Sequence, residues 1–179
     1  MTERDPHPAL SPIASPIVSS AHLAVDAAAL SEMEYGLIVA SHAFDRWIVR
    51  CAAAAGVPEL APLDVLILHS INHRGREKRL ADLTFVLNIE DTHLVSYACK
   101  KLEKLGLVTR DKRGKEVVFA VTEAGSSACR RYGEVRAACL LDTIKAIGTI
   151  DLDDLSAQGR LLRALSGLYD QAARAASSL

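Results

Sequence analysis

The sequence predicts a mainly helical protein carrying one small β-hairpin, and three observations predict it. Apolar residues recur at helical spacing through most of the chain, the helical stretches stop at glycine, proline or asparagine, and two β-prone stretches flank a basic segment with a glycine near its middle. The chain has 179 residues, half of them apolar and about a quarter charged. That composition fits a soluble globular protein that needs neither metal nor disulfide to hold it. No apolar run approaches the length of a membrane span. The N-terminus lacks the basic start and apolar stretch of a secretory signal, so a cytoplasmic location is the default expectation.

Residues 1–20 hold four of the six prolines and several serines without periodicity, and are expected to form a mobile arm. A first helix is predicted over Ser31–Ala55, with Leu37, Val39, Phe44, Trp47, Ile48 and Cys51 at helical spacing, before Gly56-Val57-Pro58 stops it. It lies in an N-terminal helical part, residues 21–58. Pro62 opens a second helix, whose stripe of Leu63, Leu66, Ile67 and Ile71 ends near Gly75. A third runs over Arg79–Leu87, and Asn88 suits the left-handed backbone of a tight turn. The fourth, Asp91–Leu105, stops at Gly106. Leu107–Arg110 and Val117–Thr122 then pair as a hairpin around Gly114. Thr122 caps a long helix reaching Ile147, Gly148 breaks it, and a last helix begins near Leu152. Residues 60–125 thus read as one domain and 126–179 as a C-terminal helical part.

Helix, tight turn, helix and basic hairpin is the order of a winged helix-turn-helix, here with a two-stranded wing. The charge follows the same division. Net charge is −1, yet between His73 and Glu116 eleven Lys or Arg stand against seven Asp or Glu. That middle segment carries +4 and the remainder −5. Within the fourth helix, Leu94, Val95, Ala98, Leu102 and Leu105 are expected to dock on the third. Thr92, His93, Ser96, Tyr97, Lys100, Lys101 and Lys104 then face outward. Short hydrogen-bonding groups early in such a helix suit base edges, and long cations suit phosphates. Arg110, Lys112, Arg113 and Lys115 place four more cations on the hairpin. A solvated lysine-rich surface explains either element alone, but two basic elements in this order favour double-stranded DNA as the partner.

The runs Leu83–Ile89, Leu94-Val95-Ser96 and Lys101–Arg110, with Val121-Thr122-Glu123-Ala124-Gly125 after the hairpin, resemble the MarR family of bacterial winged-helix transcription regulators. The resemblance covers about residues 60–125, and the flanking helices agree with the family in order and length. It implies a homodimer whose first and last two helices form the dimerisation platform, and a near-palindromic operator. It also implies that Thr92, His93, Ser96, Tyr97 and Lys100 meet bases and phosphates and that Arg113 lies near the wing tip. The hairpin is shorter than is usual in the family, and Asp111 and Arg113 match its acidic-then-basic wing signature only in part. The family often holds a small-molecule effector between its two parts. Tyr35, His42 and Trp47 could line such a cavity, but ordinary packing explains them equally well, so no ligand site is assigned.

Other candidates are weaker. His69 and His73 share a helix face, but no third metal ligand is evident, so a surface or interface pair is the better reading. Cys51, Cys99, Cys129 and Cys139 show no paired spacing and read as reduced thiols. Cys99, inside the fourth helix, raises the idea of an oxidation-sensitive operator contact. No nucleophile–base pair, phosphate loop or paired acid is recognisable, so neither an enzyme nor a cofactor is expected. The alternative function is a winged-helix module that uses the same basic surface on an acidic protein partner.

Overall fold

The computed structural model describes residues 28–179 apart from Lys115 and Thr149. The expected arm, residues 1–20, lies outside the described residues. Helix α1 (Ala28–Ala54) ends at Gly56, whose φ of 92° only glycine adopts easily. There the Gly56 N–H donates to the Ala53 carbonyl and the Val57 N–H to that of Ala52, both at 3.0 Å. Helix α2 (Pro62–Asn72) starts on proline, and the Asp64 carboxylate accepts the Ala61 N–H at 2.8 Å. A 3₁₀ turn (His73–Gly75) with Arg74 and Gly75 at positive φ redirects the chain into strand β1 (Lys78–Arg79).

Helix α3 (Leu80–Leu87) is closed by Asn88 at φ 51°, and the Ile89 N–H returns to the Thr84 carbonyl at 2.9 Å. Asp91 caps helix α4 (Thr92–Lys104) by accepting the His93 N–H at 2.8 Å. Gly106 at φ 69° turns the chain into β2 (Val108–Arg113), which pairs antiparallel with β3 (Glu116–Val121) across Gly114. The sheet differs from the expected two strands. β1 adds to β3, with Lys78 opposite Phe119 and Arg79 opposite Val118, giving the order β1-β3-β2.

The Val121–Gly125 run has a physical reason at both ends. The Thr122 hydroxyl oxygen accepts the Gly125 N–H at 3.1 Å, capping helix α5 (Glu123–Arg136), and the hydroxyl donates to the Gly106 carbonyl at 2.7 Å. Gly125 packs so closely on the Leu107 carbonyl that a side-chain carbon there would collide with backbone. Helix α5 continues through a π-helical turn (Ala137–Leu141) into α6 (Asp142–Ile147), closed by Gly148 at φ 66°. Helix α7 (Leu152–Ala176) follows, capped by Asp151.

The core is built between α1 and α5. Ile48, Ile67, Ile71, Leu83, Val95, Leu102, Val108, Phe119 and Cys129 are buried in one cluster. Each large side chain there contributes roughly 1.5–3 kcal/mol relative to exposure. The last turn of α1 is tied to α5, because Arg131 Nε donates to the Ala55 carbonyl at 2.8 Å. By contrast α7 meets the rest of the chain through polar contacts. The Tyr169 hydroxyl donates to Glu34 at 3.2 Å, and Asn88 Nδ2 donates to Asp170 at 3.3 Å.

Candidate nucleic-acid interface

Helix α4 fixes this surface by what it buries. Val95, Ala98, Cys99 and Leu102 form its inner face, whereas Leu94 and Leu105, expected to dock with them, are partly exposed. The buried stripe is therefore rotated toward Cys99, by about 40° at 100° per residue. Thr92, His93, Tyr97, Lys100 and Lys104 point to solvent, with Tyr97 72% exposed, and Ser96 is half-buried. Ser96 and Lys100 share a small cleft of about 110 Å³ with Arg110 of β2, so helix and wing meet there in one surface.

Lys101 does not belong to that surface. Its ammonium lies 2.6 Å from Asp64 Oδ2, and Asp64 is only 4% exposed. A phosphate expected at Lys101 would have to compete with Asp64 for its ammonium. A buried carboxylate needs a compensating cation, and Lys101 supplies it.

On the wing, Arg110, Lys112 and Arg113 are exposed, and Lys115 lies outside the described residues. Arg113 is engaged within the chain. Its guanidinium sits 2.6 Å from Glu77 and 3.5 Å from Asp111. Arg79, at the end of β1, pairs with Asp82 at 2.9 Å and Glu116 at 3.3 Å, tying the hairpin to α3. That Arg79 guanidinium holds the Asp82 carboxyl below its ordinary range. The connector before β1 adds two exposed cations, Arg74 and Arg76, which make no ion pair among the described residues. The basic middle segment signalled them, but only the fold shows that they flank the strand beside the wing.

The remaining candidates resolve simply. Cys99 is fully buried, and burial pushes its thiol up to about 12, away from the thiolate that an oxidation-sensitive contact would use. His69 is half-buried with its ring edge-on to Tyr132, centroids 4.5 Å apart, while His73 is exposed. No group of three His, Cys, Asp or Glu among the described residues could hold a metal. His42 is exposed and Tyr35 and Trp47 are half-buried on α1. No helix among the described residues is long and apolar enough to cross a membrane.

Residues 60–125 match the family described as winged helix DNA-binding domain. No curated protein sequence matches the chain. Solved structures do match. AbfR of Staphylococcus epidermidis aligns with a TM-score of 0.62 at 14% identity, over 79% of this chain and 93% of that one. Reduced AbfR bound to DNA aligns at 0.60 and 15% identity, over 78% and 92%. NMB1585, a MarR family regulator from Neisseria meningitidis, gives 0.60 at 17% identity, over 79% and 94%. Residues 60–125 are therefore similar to a winged helix DNA-binding domain, and the chain shares the overall fold of AbfR and of the MarR family regulator NMB1585.

Proposed function

We propose that this chain is a sequence-specific, non-enzymatic transcription regulator of the MarR type, acting as a homodimer on a near-palindromic operator. The observation that carries the reading is the division of α4. Its inner face is locked in the core, and Thr92, His93, Ser96, Tyr97, Lys100 and Lys104 are left outside. An α-helix fits a major groove about 12 Å wide, where hydroxyl and imidazole groups at its start meet base edges and lysines further along meet phosphates. Arg110, Lys112 and Arg113 extend the positive surface along the wing toward the neighbouring backbone. AbfR, which has the same fold, has been solved on DNA.

The homodimer is supported by apolar surface. Leu37, Ile38 and Phe44 of α1 and Leu161, Leu162 and Leu168 of α7 are exposed in the single chain, on elements the resemblance assigns to dimerisation. Two copies related by a two-fold axis would set their α4 helices roughly one DNA turn apart, about 34–36 Å. An effector that shifts operator affinity is compatible with this arrangement, and no residue is assigned to it.

A salt titration of duplex binding tests the reading. Binding to random-sequence DNA should fall steeply with added salt, and Lys100→Ala or Lys104→Ala should weaken all duplexes and lower the log–log salt slope by about one. Ser96→Ala or His93→Ala should instead relax sequence preference. Absence of DNA binding at low salt would contradict the proposal and favour a protein-interaction module.

A further inference from the structure

Asp64 and Lys101 join two helices at a point no surface argument would choose. One oxygen of Asp64, Oδ2, accepts both the Ala61 N–H at 2.8 Å and the Lys101 ammonium at 2.6 Å. Asp64 opens α2 just after the connector that leaves α1, and Lys101 is in the last turn of α4. A single buried atom therefore holds the start of α2, its first backbone N–H and the far end of α4. The rest of the α2–α4 contact is apolar, formed by side chains such as Val65, Leu68, Val95, Ala98 and Leu102, which resist separation but allow sliding and rotation. A short charge-assisted hydrogen bond is directional and resists both.

We propose that the Asp64–Lys101 pair is a positioning device that sets the angle of α4 relative to α2, so that it governs discrimination among DNA sequences rather than affinity for DNA as such. This rests on the DNA-binding reading above. Rotating α4 by a fraction of a residue step would move Ser96 and His93 off their base edges and leave the attraction of Lys100, Lys104 and the wing for phosphate in place. Lys101 then contributes to recognition while touching no nucleotide.

The test compares the full-length chain with Lys101→Met, Lys101→Arg and the double variant Asp64→Asn/Lys101→Met, at temperatures where circular dichroism shows each folded. The probes are a duplex selected by the wild-type protein and a random duplex of equal length. Lys101→Met should lower the selected-over-random affinity ratio by about tenfold, on the scale of one base-edge contact, with the salt slope on random DNA unchanged. Lys101→Arg, which keeps the charged hydrogen bond, should restore most of the ratio. The double variant, with no buried charge left alone, should fold at least as well as Lys101→Met yet still discriminate poorly. A salt slope reduced by about one with both duplexes weakened equally would make Lys101 a phosphate contact and overturn the proposal. A lowered melting temperature with the ratio unchanged would reduce the pair to a stabilising bridge and overturn it as well. Failure of the wild-type protein to bind either duplex would instead overturn the function on which the proposal rests.

Discussion

Residues 60–125 and the helices on either side of them satisfy their apolar side chains in different ways. The first region closes one core together with the C-terminal half of α1 and with α5, which add Ile48, Ala52 and Cys129. Val65, Ile67, Leu68, Ile71, Leu83, Val95, Leu102, Val108 and Phe119 are all buried within a single chain. The N-terminal half of α1 and the whole of α6 and α7 contribute no buried apolar residue among those described, and they expose Ile38, Ile147, Leu162 and Leu168, the last at 64%. A 25-residue helix with no buried apolar side chain among the described residues cannot offset the entropy of ordering it. The winged helix is therefore finished with the last turns of α1 and with α5, whereas the start of α1, α6 and α7 are finished only against another surface.

The largest expected effect would break that distinction at its weaker side. Leu161→Asp together with Leu162→Asp should convert a dimer to monomer in sedimentation experiments. Operator affinity should then fall by about 10²–10⁴-fold as the second half-site contact is lost. Hydrogen-exchange protection in 60–125 should survive. A variant that stays dimeric would move the interface away from α7. Next in size, Leu102→Ala should destabilise the winged helix by about 2–5 kcal/mol. That loss should not depend on protein concentration, whereas unfolding of α1 and α7 should. Concentration dependence of both together would show that the two regions fold as one.

Smaller effects sharpen the recognition side. Glu77 holds the wing guanidinium of Arg113 at 2.6 Å, so a phosphate must compete for it. Both side chains are exposed, so the pair is worth at most about 1 kcal/mol. Glu77→Gln should tighten binding to random duplexes by a few-fold and leave Arg113→Ala unaffected in the double variant. Unchanged affinity would mean that the wing arginine does not reach DNA. The smallest effect concerns pH. Burial holds the His69 imidazole below its ordinary value of 6.5, so the folded chain binds fewer protons than the unfolded one. Its contribution to stability is complete above about pH 6.5 and is lost as the pH falls through the lower, folded-state value. His69→Phe should flatten that part of a melting-temperature profile, and an unaltered slope would remove His69 as its cause.

Much of this was legible in the residues because local rules and tertiary packing agree. Asn88 and Gly106 end helices in the left-handed conformation that asparagine tolerates and that glycine, lacking a Cβ, adopts freely, and Asp91 and Thr122 cap the helices that follow them. Strand β1 was not legible, since two residues carry no period and Lys78-Arg79 becomes a strand only because β3 offers an edge. The pairing of Lys101 was not legible either, for a geometric reason. Lys101 lies about 110° from the centre of the buried face, on the flank between clear burial and clear exposure. What settles it is Asp64, thirty-seven residues earlier, buried and in need of a cation. The same distance hides the Arg113–Glu77 pair, which depends on how the hairpin lies against the connector.

Selection of bound sequences from a random duplex pool tests the proposed role of α4 most directly, because it reads DNA binding, symmetry and spacing together. The enriched duplexes should carry two inverted half-sites with centres about one helical turn apart, and Ser96→Ala should blur positions within each half-site without changing their separation. A pool that emerges unenriched from a protein that is folded and dimeric would contradict the assignment of the outward face of α4 to DNA.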